Sequence, residues 1–532
     1  MGYGDKFPEI PQSWIWVNIG DIAEVKGGKR LPQNHQYSDE PTIYPYIRVV
    51  DFQNLSVNIA GIKFLKAETQ KLINQYTISI DDLYISIAGS IGKVGTIPFQ
   101  LNGANLTENA AKITSLFKGC DKKFLCYALN SNFCQEQIKN FTISTNQPKL
   151  ALFRIEKIAV ALPPLPEQYR IVAQIEEIFT ELDAGVELLK KLKVKLKRYR
   201  QAVLKAAVEG SLTKEWREAN QGKLEPASIL LERILKQRRE KWEAEQLAKM
   251  KAQGKTPKDD SWKLKYKEPI APDTSELPEL PDGWCWASLE AVADAMGGYA
   301  FKSQDYSENG CQILKIGNVK PGKISLDDKP SFIKQVDEEI KNKYLLNEND
   351  IVITLTGTRN KRDYGFVAIV NHHGNLLLNQ RVARLRFNEF LNINFFSLAL
   401  QSKFFQDNFF KHETGNVGQG NVGMNAITKE LIFIPSILEQ DKIFEEVERL
   451  FSVIDQLEKT IDSNLKRSEK LRQSILKQAF EGKLVPQDPN DEPAEKLLER
   501  IKAEKAKQTT TKTKKKTQSK KQSDLQLEIP LK

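Results

Sequence analysis

Several short loops in this sequence hold side chains of the types that can bind nucleic acids. Arg and Lys bind phosphates or guanine, Asn and Gln can pair with adenine, and glycine lets a backbone approach closely. The loops form two sets, which are GGKR (27–30), GSIGK (89–93) and STNQPK (144–149), and TGTRNKR (356–362), NQRVARLR (379–386) and NVGQGNVGMN (416–425). Each loop alone also fits an ordinary polar surface turn, so only their joint occurrence indicates recognition surfaces.

The predicted DNA-contacting residues come from these two sets of loops. They are Lys29, Arg30, Lys93, Asn146, Gln147 and Lys149 in the first set, and Arg359, Lys361, Arg362, Gln380, Arg381, Gln419 and Asn421 in the second. The sets differ, because TGTRNKR has no basic counterpart in AGSIGK (88–93) beyond Lys93. Loops that differ in this way predict two readers of different DNA sequences.

No sequence motif predicts catalysis by this chain. It has no GxxxxGK[ST] loop, no HExxH, no GxSxG and no GxGxxG that opens a helix after a strand. The His372–His373 pair lies in NHHGN, which fits a turn better than a pair of metal ligands. No acidic cluster with a following ExK has the spacing of a nuclease. We therefore predict a binding protein and scaffold without catalytic residues, a metal site or a cofactor of its own.

The positive charge of the chain is concentrated near its C-terminus. The 532 residues have a net charge of +10. Residues 502–522 hold nine Lys and one Glu, or +8, and residues 523–532 contribute −1, so residues 1–501 sum to only +3. The charge therefore predicts a basic tail rather than a basic core.

Hydropathy and cysteine usage favour a cytoplasmic location. No apolar run reaches the roughly 18–20 residues that cross a bilayer, so no membrane contact is predicted. The segment MGYGDKFPEI lacks the basic and apolar regions of a signal peptide. The five cysteines form no CxxC pair, which argues against a zinc site or a disulfide framework. A reducing cytoplasm is the simplest compartment.

The sequence is a tandem duplication with an offset of about 270 residues. FPEIPQSWIWVNIGDIAEVKGG (7–28) returns as LPELPDGWCWASLEAVADAMGG (277–298), and PPLPEQYRIVAQIEEIFTELD (163–183) returns as PSILEQDKIFEEVERLFSVID (435–455). RQAVLKAAVEGSL (200–212) matches RQSILKQAFEGKL (472–484), and EPASILLERI (225–234) matches EPAEKLLERI (492–501). The repeated segments predict that each half folds in the same way.

Each half is predicted to hold a mixed α/β domain followed by a long helix. Apolar runs such as LYISIAGSIGKVGTIPF (83–99), broken by Gly, Asn and Pro, are typical of strands. After them, apolar residues recur at spacings of three and four, as coiled-coil helices require. Two such helices can bury their apolar stripes on each other, and we expect them to be antiparallel. Asn464 and Ser468 could set the register of that pair or lie on an exposed section of it.

The order of these parts resembles the specificity subunit of type I restriction-modification systems. The resemblance rests on PQSWIWVNIGDIAEVKGG and PDGWCWASLEAVADAMGG, on PPLPEQ and PSILEQ where each long helix begins, and on RQAVLKAAVEGSL and RQSILKQAFEGKL near its end. It covers residues 1–234 and 277–501. It implies an α+β fold with two globular target recognition domains, separated by two long antiparallel coiled-coil helices in a pseudo-two-fold tandem duplication.

The domain bounds predicted from this organisation divide the chain into six parts. They are 1–164 (first target recognition domain), 165–212 (first long helix), 213–276 (charged helix and linker), 277–436 (second target recognition domain), 437–485 (second long helix) and 486–532 (Lys-rich disordered tail).

The resemblance also implies a function and partners. Each target recognition domain would read one half of a bipartite, asymmetric target in double-stranded DNA. Two methyltransferase subunits and the restriction/translocase subunits would be the protein partners, and would bind S-adenosylmethionine, ATP and Mg²⁺. The implied partner-interface residues are those of the repeated motifs, namely Glu167, Gln168, Arg200, Gln201, Glu439, Gln440, Arg472 and Gln473.

Three other interpretations are compatible with the sequence. The subunit could serve a methyltransferase-only or another phage-defence system. The chain could be a coiled-coil scaffold with two protein-binding domains and no DNA contact. It could also be an enzyme in its own right, which the missing motifs argue against.

Overall fold

The computed structural model describes most of the chain, namely residues 7–115, 119–142, 148–327, 329–359, 361–371, 374–415 and 418–506. Asn146, Gln147, the His372–His373 pair and residues 507–532 of the predicted tail lie outside the described residues.

The chain divides into two compact units. Unit 1 consists of residues 1–190 and 462–532, and unit 2 consists of residues 191–461. Each unit therefore contains one globular domain and parts of both long helices. Within the described ranges, no helix combines the length and the apolar character that crossing a bilayer requires.

Unit 1 is built around two sheets of short strands. The antiparallel four-stranded sheet has the order Val94–Thr96, Leu83–Ser86, Ala110–Thr114, Glu24–Gly27. The five-stranded sheet has the order Tyr37–Ser38, Lys63–Leu65, Pro45–Ile47, Ala104–Leu106, Thr77–Ile78. Two further antiparallel pairs are Ile15–Asn18 with Ala159–Leu162 and Phe52–Gln53 with Ser56–Val57. The helices of this domain are Ile19–Ile22, Ala67–Ile73, Lys122–Leu129, Asn132–Phe141 and Leu152–Ile155, with 3-10 turns at Val49–Asp51, Ile59–Gly61 and Phe99–Leu101.

Unit 2 repeats this plan with different strand lengths. One four-stranded sheet has the order Ala293–Gly297, Val382–Phe387, Ile351–Thr354, Val367–Ile369, and the other has the order Tyr306–Ser307, Phe332–Ile333, Cys311–Leu314, Leu376–Leu378. The paired strands beside them are Cys285–Ser288 with Leu431–Ile434, Val319–Lys320 with Lys323–Ile324, and Thr356–Thr358 with Gln419–Asn421. Its helices are Leu289–Val292, Glu338–Tyr344, Ile393–Gln401, Lys403–Lys411 and Met424–Lys429, with 3-10 turns at Ser303–Asp305 and Ile316–Asn318.

The two long helices end at equivalent glycines. The first long helix is Leu165–Val208 and the second long helix is Ile437–Phe480. Just beyond their ends, Gly210 and Gly482 have φ values of +70° and +69°. Glycine adopts this left-handed conformation without strain, so the repeated EG dipeptide stops both helices. Both helices therefore stop four to five residues short of the predicted limits at 212 and 485.

The helix ends also explain why the Trp-bearing openings are repeated. A Cβ atom on Gly482 would collide with Pro11 and would lie 3.4 Å from Trp14. In unit 2, a Cβ atom on Gly210 would collide with Pro281 and would lie 3.1 Å from Trp284. The opening segment of each domain therefore packs closely against the end of the long helix from the other half of the sequence.

Ion pairs show that the helix segments in each unit are antiparallel. In unit 1, Asp183 of the first long helix pairs with Arg472 of the second, and Glu167 accepts a hydrogen bond from Gln487, just beyond the second. In unit 2, Arg200 pairs with Asp455, and Arg217, beyond the end of the first long helix, pairs with Glu439 near the start of the second. Residue numbers rise along one segment as they fall along the other, which confirms the predicted antiparallel coiled-coil arrangement.

The domain cores include residues from both long helices. In unit 1, Ile171 and Phe179 of the first helix and Leu476 of the second lie in the main hydrophobic core. In unit 2, Val203 of the first helix and Val447 of the second lie in the main hydrophobic core of that unit. The helices are therefore held by burial of apolar surface, the largest favourable contribution to folding, as well as by their ion pairs.

The predicted tail is partly structured, which corrects the prediction of disorder from residue 486. Residues 494–506 form a helix, with Leu497, Leu498 and Ile501 buried in the unit 1 core. The backbone N–H of Ala494 donates to the carbonyl of Ser13 at 2.9 Å. In unit 2, the N–H of Ala227 donates to Gly283 at 2.8 Å. Apolar residues at helical spacing outweighed the polar composition of this segment, and the EPAEKLLERI repeat was the signal for it.

The linker is also more ordered than its composition indicates. Lys214–Asn220, the 3-10 turn Gln221–Lys223 and the charged helix Ala227–Ala252 lead into a 3-10 turn at Asp260–Lys265. Trp262 of that turn is buried and stacks on Trp242 of the charged helix, with ring centroids 6.0 Å apart. The polar stretch after residue 253 therefore folds back onto the charged helix.

The structure decides between the two interpretations of Asn464 and Ser468. Asn464 is exposed, and the hydroxyl of Ser468 donates to its carbonyl at 2.9 Å. Such a bond lies within one helix and cannot fix the register of two helices. These residues therefore occupy an exposed section, while Ile454 and Ile461 are the buried positions nearby.

Candidate nucleic-acid interface

In unit 2, backbone hydrogen bonds gather three separate loops into one surface. The N–H of Leu355 donates to the carbonyl of Arg381 at 2.9 Å, and the N–H of Val422 donates to Leu355 at 3.0 Å. Strand Thr356–Thr358 pairs with Gln419–Asn421. We call residues 355–359, 361–363, 379–381, 413–415 and 418–422 the unit 2 loop surface. The structure thus brings together the predicted residues of the second set.

A buried tyrosine and a glutamate hold one arginine of this surface. Arg359 Nε lies 3.1 Å from Glu413 Oε2, and the hydroxyl of Tyr364 donates to Glu413 Oε1. The side chain of Glu413 is only 13% exposed, against 47% for Arg359. Burial, and then the hydrogen bond to Glu413, raises the pKa of Tyr364, so this hydroxyl stays protonated and remains a donor. A Cβ atom on Gly420 would collide with both Glu413 and Tyr364.

The other predicted residues of unit 2, except Asn421, are exposed. The guanidinium of Arg362 lies 4.9 Å from the centre of the Phe410 ring, in range for a cation–π contact. Lys361, Gln380, Arg381 and Gln419 are exposed, and Asn421 is half-buried.

Asp363 and the strand pair stabilise the loop that carries Arg359 and Arg362. The N–H of Thr358 donates to Asp363 Oδ1 at 2.6 Å. This hydrogen bond is the first cause that holds the pKa of Asp363 below its ordinary value. The backbone of Asn421 exchanges two 2.8 Å hydrogen bonds with Thr414.

In unit 1, the same kind of hydrogen bonds gathers the first set of loops. The N–H of Ile87 donates to Asn109 at 2.8 Å, and the N–H of Leu150 donates to Ile87 at 3.0 Å. Ala88 and Lys149 form an isolated β-bridge. We call residues 27–30, 86–93, 107–109 and 148–150 the unit 1 loop surface. Its exposed cations are Lys29, Arg30, Lys93 and Lys149.

An arginine–glutamate pair also occurs on the unit 1 loop surface. Arg30 Nε donates to Glu108 Oε1 at 2.8 Å, and the hydroxyl of Thr107 donates to Glu108 Oε2 at 2.8 Å. Partial burial acts to raise the pKa of Glu108, but these two hydrogen bonds outweigh it and keep the pKa below its ordinary value. Lys29 lies beside Tyr76, with its Nζ 5.7 Å from the ring centre.

The two loop surfaces share one backbone frame. Gly28 and Gly298 donate to Ala110 and Val382 at 2.9 and 3.1 Å. A Cβ atom on either glycine would collide with backbone carbonyls, so the repeated GG dipeptide is needed at this crossing. The next residues, Lys29 and Tyr299, donate to Leu106 and Leu378 at 2.8 and 2.9 Å. These contacts place Arg30 opposite Ala300 in the alignment of the units, and Glu108 opposite Gln380.

One loop differs in length between the two frames. The N–H of Gly92 donates to Ser86 at 3.0 Å, and the N–H of Gly365 donates to Thr354 at 3.0 Å, so these bonds close equivalent loops. Six positions separate Ser86 from Gly92, whereas eleven separate Thr354 from Gly365. The five additional residues allow unit 2 to carry Arg359, Lys361 and Arg362 on this loop.

The segment GQGNVG (418–423) has the spacing GxGxxG but not the local structure of a dinucleotide-binding loop. Its strand, Gln419–Asn421, lies inside the motif rather than before it, and the helix that follows is only Met424–Lys429. A dinucleotide site requires a strand, then the glycines, then a helix N-terminus. Among the described residues, no cluster of three or more His, Cys, Asp or Glu could hold a metal ion.

Comparison with known proteins identifies the family. The type I restriction modification DNA specificity domain matches residues 11–198 and 281–467, one match in each half of the duplication. The chain belongs to this family. It is a specificity subunit that recognises DNA with two domains.

Relatives and solved structures agree over almost the whole specificity subunit. It is 23% identical to the EcoBI specificity subunit of Escherichia coli, covering 93% of each chain, and 24% identical to the MjaVIII specificity subunit of Methanocaldococcus jannaschii, covering 88% of this chain and 93% of the relative. A chain from a solved type I restriction-modification assembly superposes with a TM-score of 0.62 at 16% identity, over 89% of this chain and 99% of that one. The HsdS subunit of Thermoanaerobacter tengcongensis superposes with a TM-score of 0.50 at 16% identity, over 89% of this chain and 98% of that one. These two structures share its fold.

Four of the predicted partner-interface residues of this specificity subunit are buried. Glu167, Gln168, Glu439 and Gln440 are at most 1% exposed. This contradicts the prediction that they contact partner subunits, because a side chain without exposed surface cannot touch another chain.

Instead, the repeated EQ dipeptide joins each long helix to its domain. Glu167 accepts a hydrogen bond from the Trp14 indole at 3.0 Å, and Glu439 accepts one from Trp284 at 2.8 Å. Gln168 Oε1 accepts from the N–H of Asp121 at 2.8 Å. Gln440 Oε1 accepts from the N–H of Asn392 at 2.9 Å.

The repeated RQ dipeptide lies at the pairing of the two long helices. Arg200 pairs with Asp455 and stacks over Phe451 at 4.5 Å, and Arg472 pairs with Asp183 and stacks over Phe179 at 4.1 Å. Both arginines are half-buried and so have an internal structural role. Gln201 is exposed, and Gln473 is half-buried with a buried Oε1 that has no hydrogen-bond partner within the described part of the chain. A contact between these two glutamines and a partner stays a prediction.

The sequence alone did not single out the residues that position the loops. Glu108, Glu413, Tyr364 and Thr107 determine how Arg30 and Arg359 are held, but none lies next to its arginine in the sequence. The exposed Phe153, at 56%, has Arg154 and Lys157 each 5.7 Å from its ring and follows the unit 1 loop surface directly. The sequence shows Phe153 with two basic residues close after it, and the structure adds that its ring is exposed.

Proposed function

We propose that this specificity subunit reads a bipartite, asymmetric DNA target, with one half-site read by each loop surface. The observation that carries the proposal is the pair of loop surfaces on one shared frame, one of them with five additional residues that include Arg359, Lys361 and Arg362. Equivalent backbone hydrogen bonds hold the loops of both surfaces, while different side chains select different base sequences.

Within each loop surface, the exposed cations serve two purposes. Lysines such as Lys93, Lys149 and Lys361 neutralise phosphates, which gives affinity and salt dependence without sequence information. Arginines and amides, such as Arg359, Gln380 and Gln419, are suited to base edges in the major groove. The prediction for Asn146 and Gln147 stays a proposal of the same kind.

The long helices are proposed to fix the spacing of the half-sites. At about 1.5 Å per residue, a 44-residue helix extends over roughly 66 Å. Two half-sites one helical turn of DNA apart, roughly 34 Å, lie within that length. Deleting one heptad from each helix should change the number of unread base pairs between the half-sites.

The subunit is proposed to be non-catalytic and to act as a scaffold for two methyltransferase subunits and the restriction subunits. Methyl transfer with S-adenosylmethionine, and ATP- and Mg²⁺-dependent steps, would belong to those partners. Exposed apolar residues along the long helices support protein contacts there, because such surface is costly to leave in water. They are Tyr169, Leu188, Leu192, Val194 and Tyr199 on the first long helix and Leu438, Val453, Leu457 and Leu471 on the second.

The proposal is tested by two matched double variants in the assembled methyltransferase complex. Arg359→Ala with Arg362→Ala should weaken or relax recognition of one half-site, and Arg30→Ala with Lys93→Ala should affect only the other. The methylated motif of each variant, determined by sequencing of methylated DNA, gives the readout. Equal loss at both half-sites from either pair would refute a model with one domain per half-site.

A further inference from the structure

Each loop surface carries the same three-residue arrangement of an arginine, a glutamate and a hydroxyl. In unit 1, one carboxylate oxygen of Glu108 accepts a hydrogen bond from Arg30 Nε, and the other accepts one from the Thr107 hydroxyl. In unit 2, one carboxylate oxygen of Glu413 accepts a hydrogen bond from Arg359 Nε, and the other accepts one from the Tyr364 hydroxyl. In both cases the hydrogen bond to the carboxylate uses Nε, and a guanidinium carries further N–H donors on its two Nη nitrogens.

The duplication does not account for these two arrangements. The alignment of the frames places Arg30 opposite Ala300 and Glu108 opposite Gln380. Arg359 lies on the longer loop of unit 2, which has no equivalent length in unit 1. The two halves therefore arrived at the same arrangement with residues from different positions, which points to a shared task rather than shared ancestry of the residues.

Stability is a poor explanation for the pairs. Arg30 and Arg359 are 77% and 47% exposed. Ion pairs at such exposed positions contribute little to stability, because water and salt screen them. Phosphate binding explains them poorly too, because a carboxylate within 3.1 Å of the guanidinium offsets its charge and repels a phosphate.

The edge of a G·C base pair fits the pair better than a phosphate does. In the major groove, guanine presents two acceptors, N7 and O6, and cytosine presents the N4 amino donor. A guanidinium supplies donors for guanine, and each carboxylate oxygen keeps a further lone pair for the cytosine amino group. The electroneutral pair thus matches a donor and acceptor pattern that is itself neutral.

We propose that each specificity domain reads one G·C base pair through its arginine–glutamate pair, Arg30–Glu108 in unit 1 and Arg359–Glu413 in unit 2. This inference rests on the proposed function. Arg30 and Arg359 donate to guanine, and Glu108 and Glu413 accept from cytosine. Thr107 and Tyr364 are positioning residues that orient the carboxylates through their hydroxyls.

The rigidity of the unit 2 arrangement supports this assignment. Tyr364 is 1% exposed and its ring packs edge-on against Phe410, with centroids 5.0 Å apart. Gly357 and Gly420 face each other in the strand pair, and a Cβ atom on either would collide with the Tyr364 side chain. Base readout needs donors and acceptors that are held in place before DNA arrives, because orienting them on binding reduces affinity.

The test compares target preference in the assembled complex with methyltransferase subunits. Binding sites are selected from random duplex DNA for the unchanged protein and for Arg359→Ala, Glu413→Gln and Tyr364→Phe. We expect all three to lose preference at one and the same G·C position of one half-site, by roughly tenfold to hundredfold for the arginine and glutamate variants, and by less for Tyr364→Phe. Arg30→Ala and Glu108→Gln should do the same at one G·C position of the other half-site.

Modified bases then separate the two contacts. At the G·C position that Arg359→Ala relaxes, 7-deazaguanine removes the N7 acceptor and should weaken the unchanged protein but not Arg359→Ala. A pyrimidine that lacks the N4 amino group should weaken the unchanged protein but not Glu413→Gln. The untouched half-site reports in the same experiment that each variant is folded and assembled.

Failure of this inference can be told from failure of the proposed function. If the Arg359 and Glu413 variants affect the correct half-site but relax an A·T position, or different positions, the G·C assignment is wrong while one domain per half-site still holds. If Glu413→Gln strengthens binding to all DNA without changing preference, the carboxylate only repels phosphate and the inference is overturned. Relaxation of both half-sites by one variant would overturn the proposed function as well.

Discussion

The two loop surfaces are built on the same hydrogen bonds and hold different side chains. Gly28 and Gly298 make the same crossing, and Gly92 and Gly365 close equivalent loops. On that frame unit 1 carries Arg30 and unit 2 carries a longer loop with Arg359. The shared backbone contacts keep the loops in equivalent places in both units, so the side chains and the lengths of the loops can differ.

The frames themselves differ at two buried positions. Glu439 of unit 2 pairs with Arg217 at 2.6 Å, whereas Glu167 of unit 1 is bonded to the neutral Gln487. In unit 2, the carbonyl of Glu430 accepts a hydrogen bond from the N–H of Leu289 at 2.9 Å. In unit 1, the carbonyl of Ile158 accepts the equivalent bond from the N–H of Ile19 at 3.0 Å, so Glu430 and Ile158 occupy the same place in the two units. Unit 2 therefore has a buried carboxyl group where unit 1 has an isoleucine. These differences predict unequal responses to mutation and to pH.

The largest expected difference comes from removing the buried glutamates. Glu439→Ala would leave Arg217, whose side chain is 11% exposed, without its partner, and such losses cost about 3–5 kcal/mol. Glu167→Ala would leave only two neutral donors, the Trp14 indole and the Gln487 amide, without their acceptor. Such a loss costs about 1–3 kcal/mol. Hydrogen exchange of the full-length chain, followed in Ile351–Thr354 for unit 2 and Leu83–Ser86 for unit 1, measures both. Equal losses would show that the charged partner makes no difference.

The pH dependence of unit 2 should follow Glu430. Burial raises its pKa to about 7, from 4.5, although Lys411 acts in the opposite direction. The folded form then binds a proton more tightly than the unfolded chain, so the free energy of unfolding falls as pH rises from 4.5 to 7, by up to about 3 kcal/mol.

Glu430→Ile, which copies unit 1, should remove this slope and stabilise unit 2 above pH 7. Denaturant unfolding of the full-length chain at several pH values is the measurement, with exchange in the strands assigning the change to a unit. His412 Nε2 lies 3.2 Å from Glu430 Oε1, so His412→Asn is the control that separates the histidine from the carboxyl group. A slope that survives in Glu430→Ile would exclude Glu430 as its source.

The smallest expected effect concerns the arginines at the helix pairing. Arg200→Ala and Arg472→Ala each remove a half-exposed ion pair and a cation–π contact, which together cost about 1–2 kcal/mol. Arg200 also lies 3.9 Å from Glu458, so its loss should be slightly larger. Thermal unfolding compared with the exposed neighbour variant Gln201→Ala gives the measurement. No loss from either arginine would mean that apolar contacts alone pair the helices.

Much of the fold could be predicted from local sequence patterns. The repeats around Trp14 and Trp284 predicted the duplication, and apolar residues at spacings of three and four predicted two long helices that pair with each other. The limits of those helices were less accurate, because Gly210 and Gly482 end them before the apolar pattern stops. The ordered helix 494–506 was missed, since its polar composition was weighed above its own repeat.

The candidate site was predicted less completely than the fold. The loops of unit 2 were recognised by their Arg, Lys and Gln residues, but the roles of Glu167 and Glu439 were wrong. A repeated motif can be kept for packing as well as for contact with a partner, and only burial distinguishes these roles. Nothing near Arg359 in the sequence indicated Glu413, which is 54 residues away.

The sequence by itself determined that this protein is one folding unit written twice, with two divergent sets of loops, because repetition and apolar periodicity are properties of local order. Only the tertiary structure decided which repeated residues are internal and which arginine meets which glutamate. Those contacts join residues far apart in the chain, and their geometry depends on how strands and helices pack rather than on any neighbouring residue.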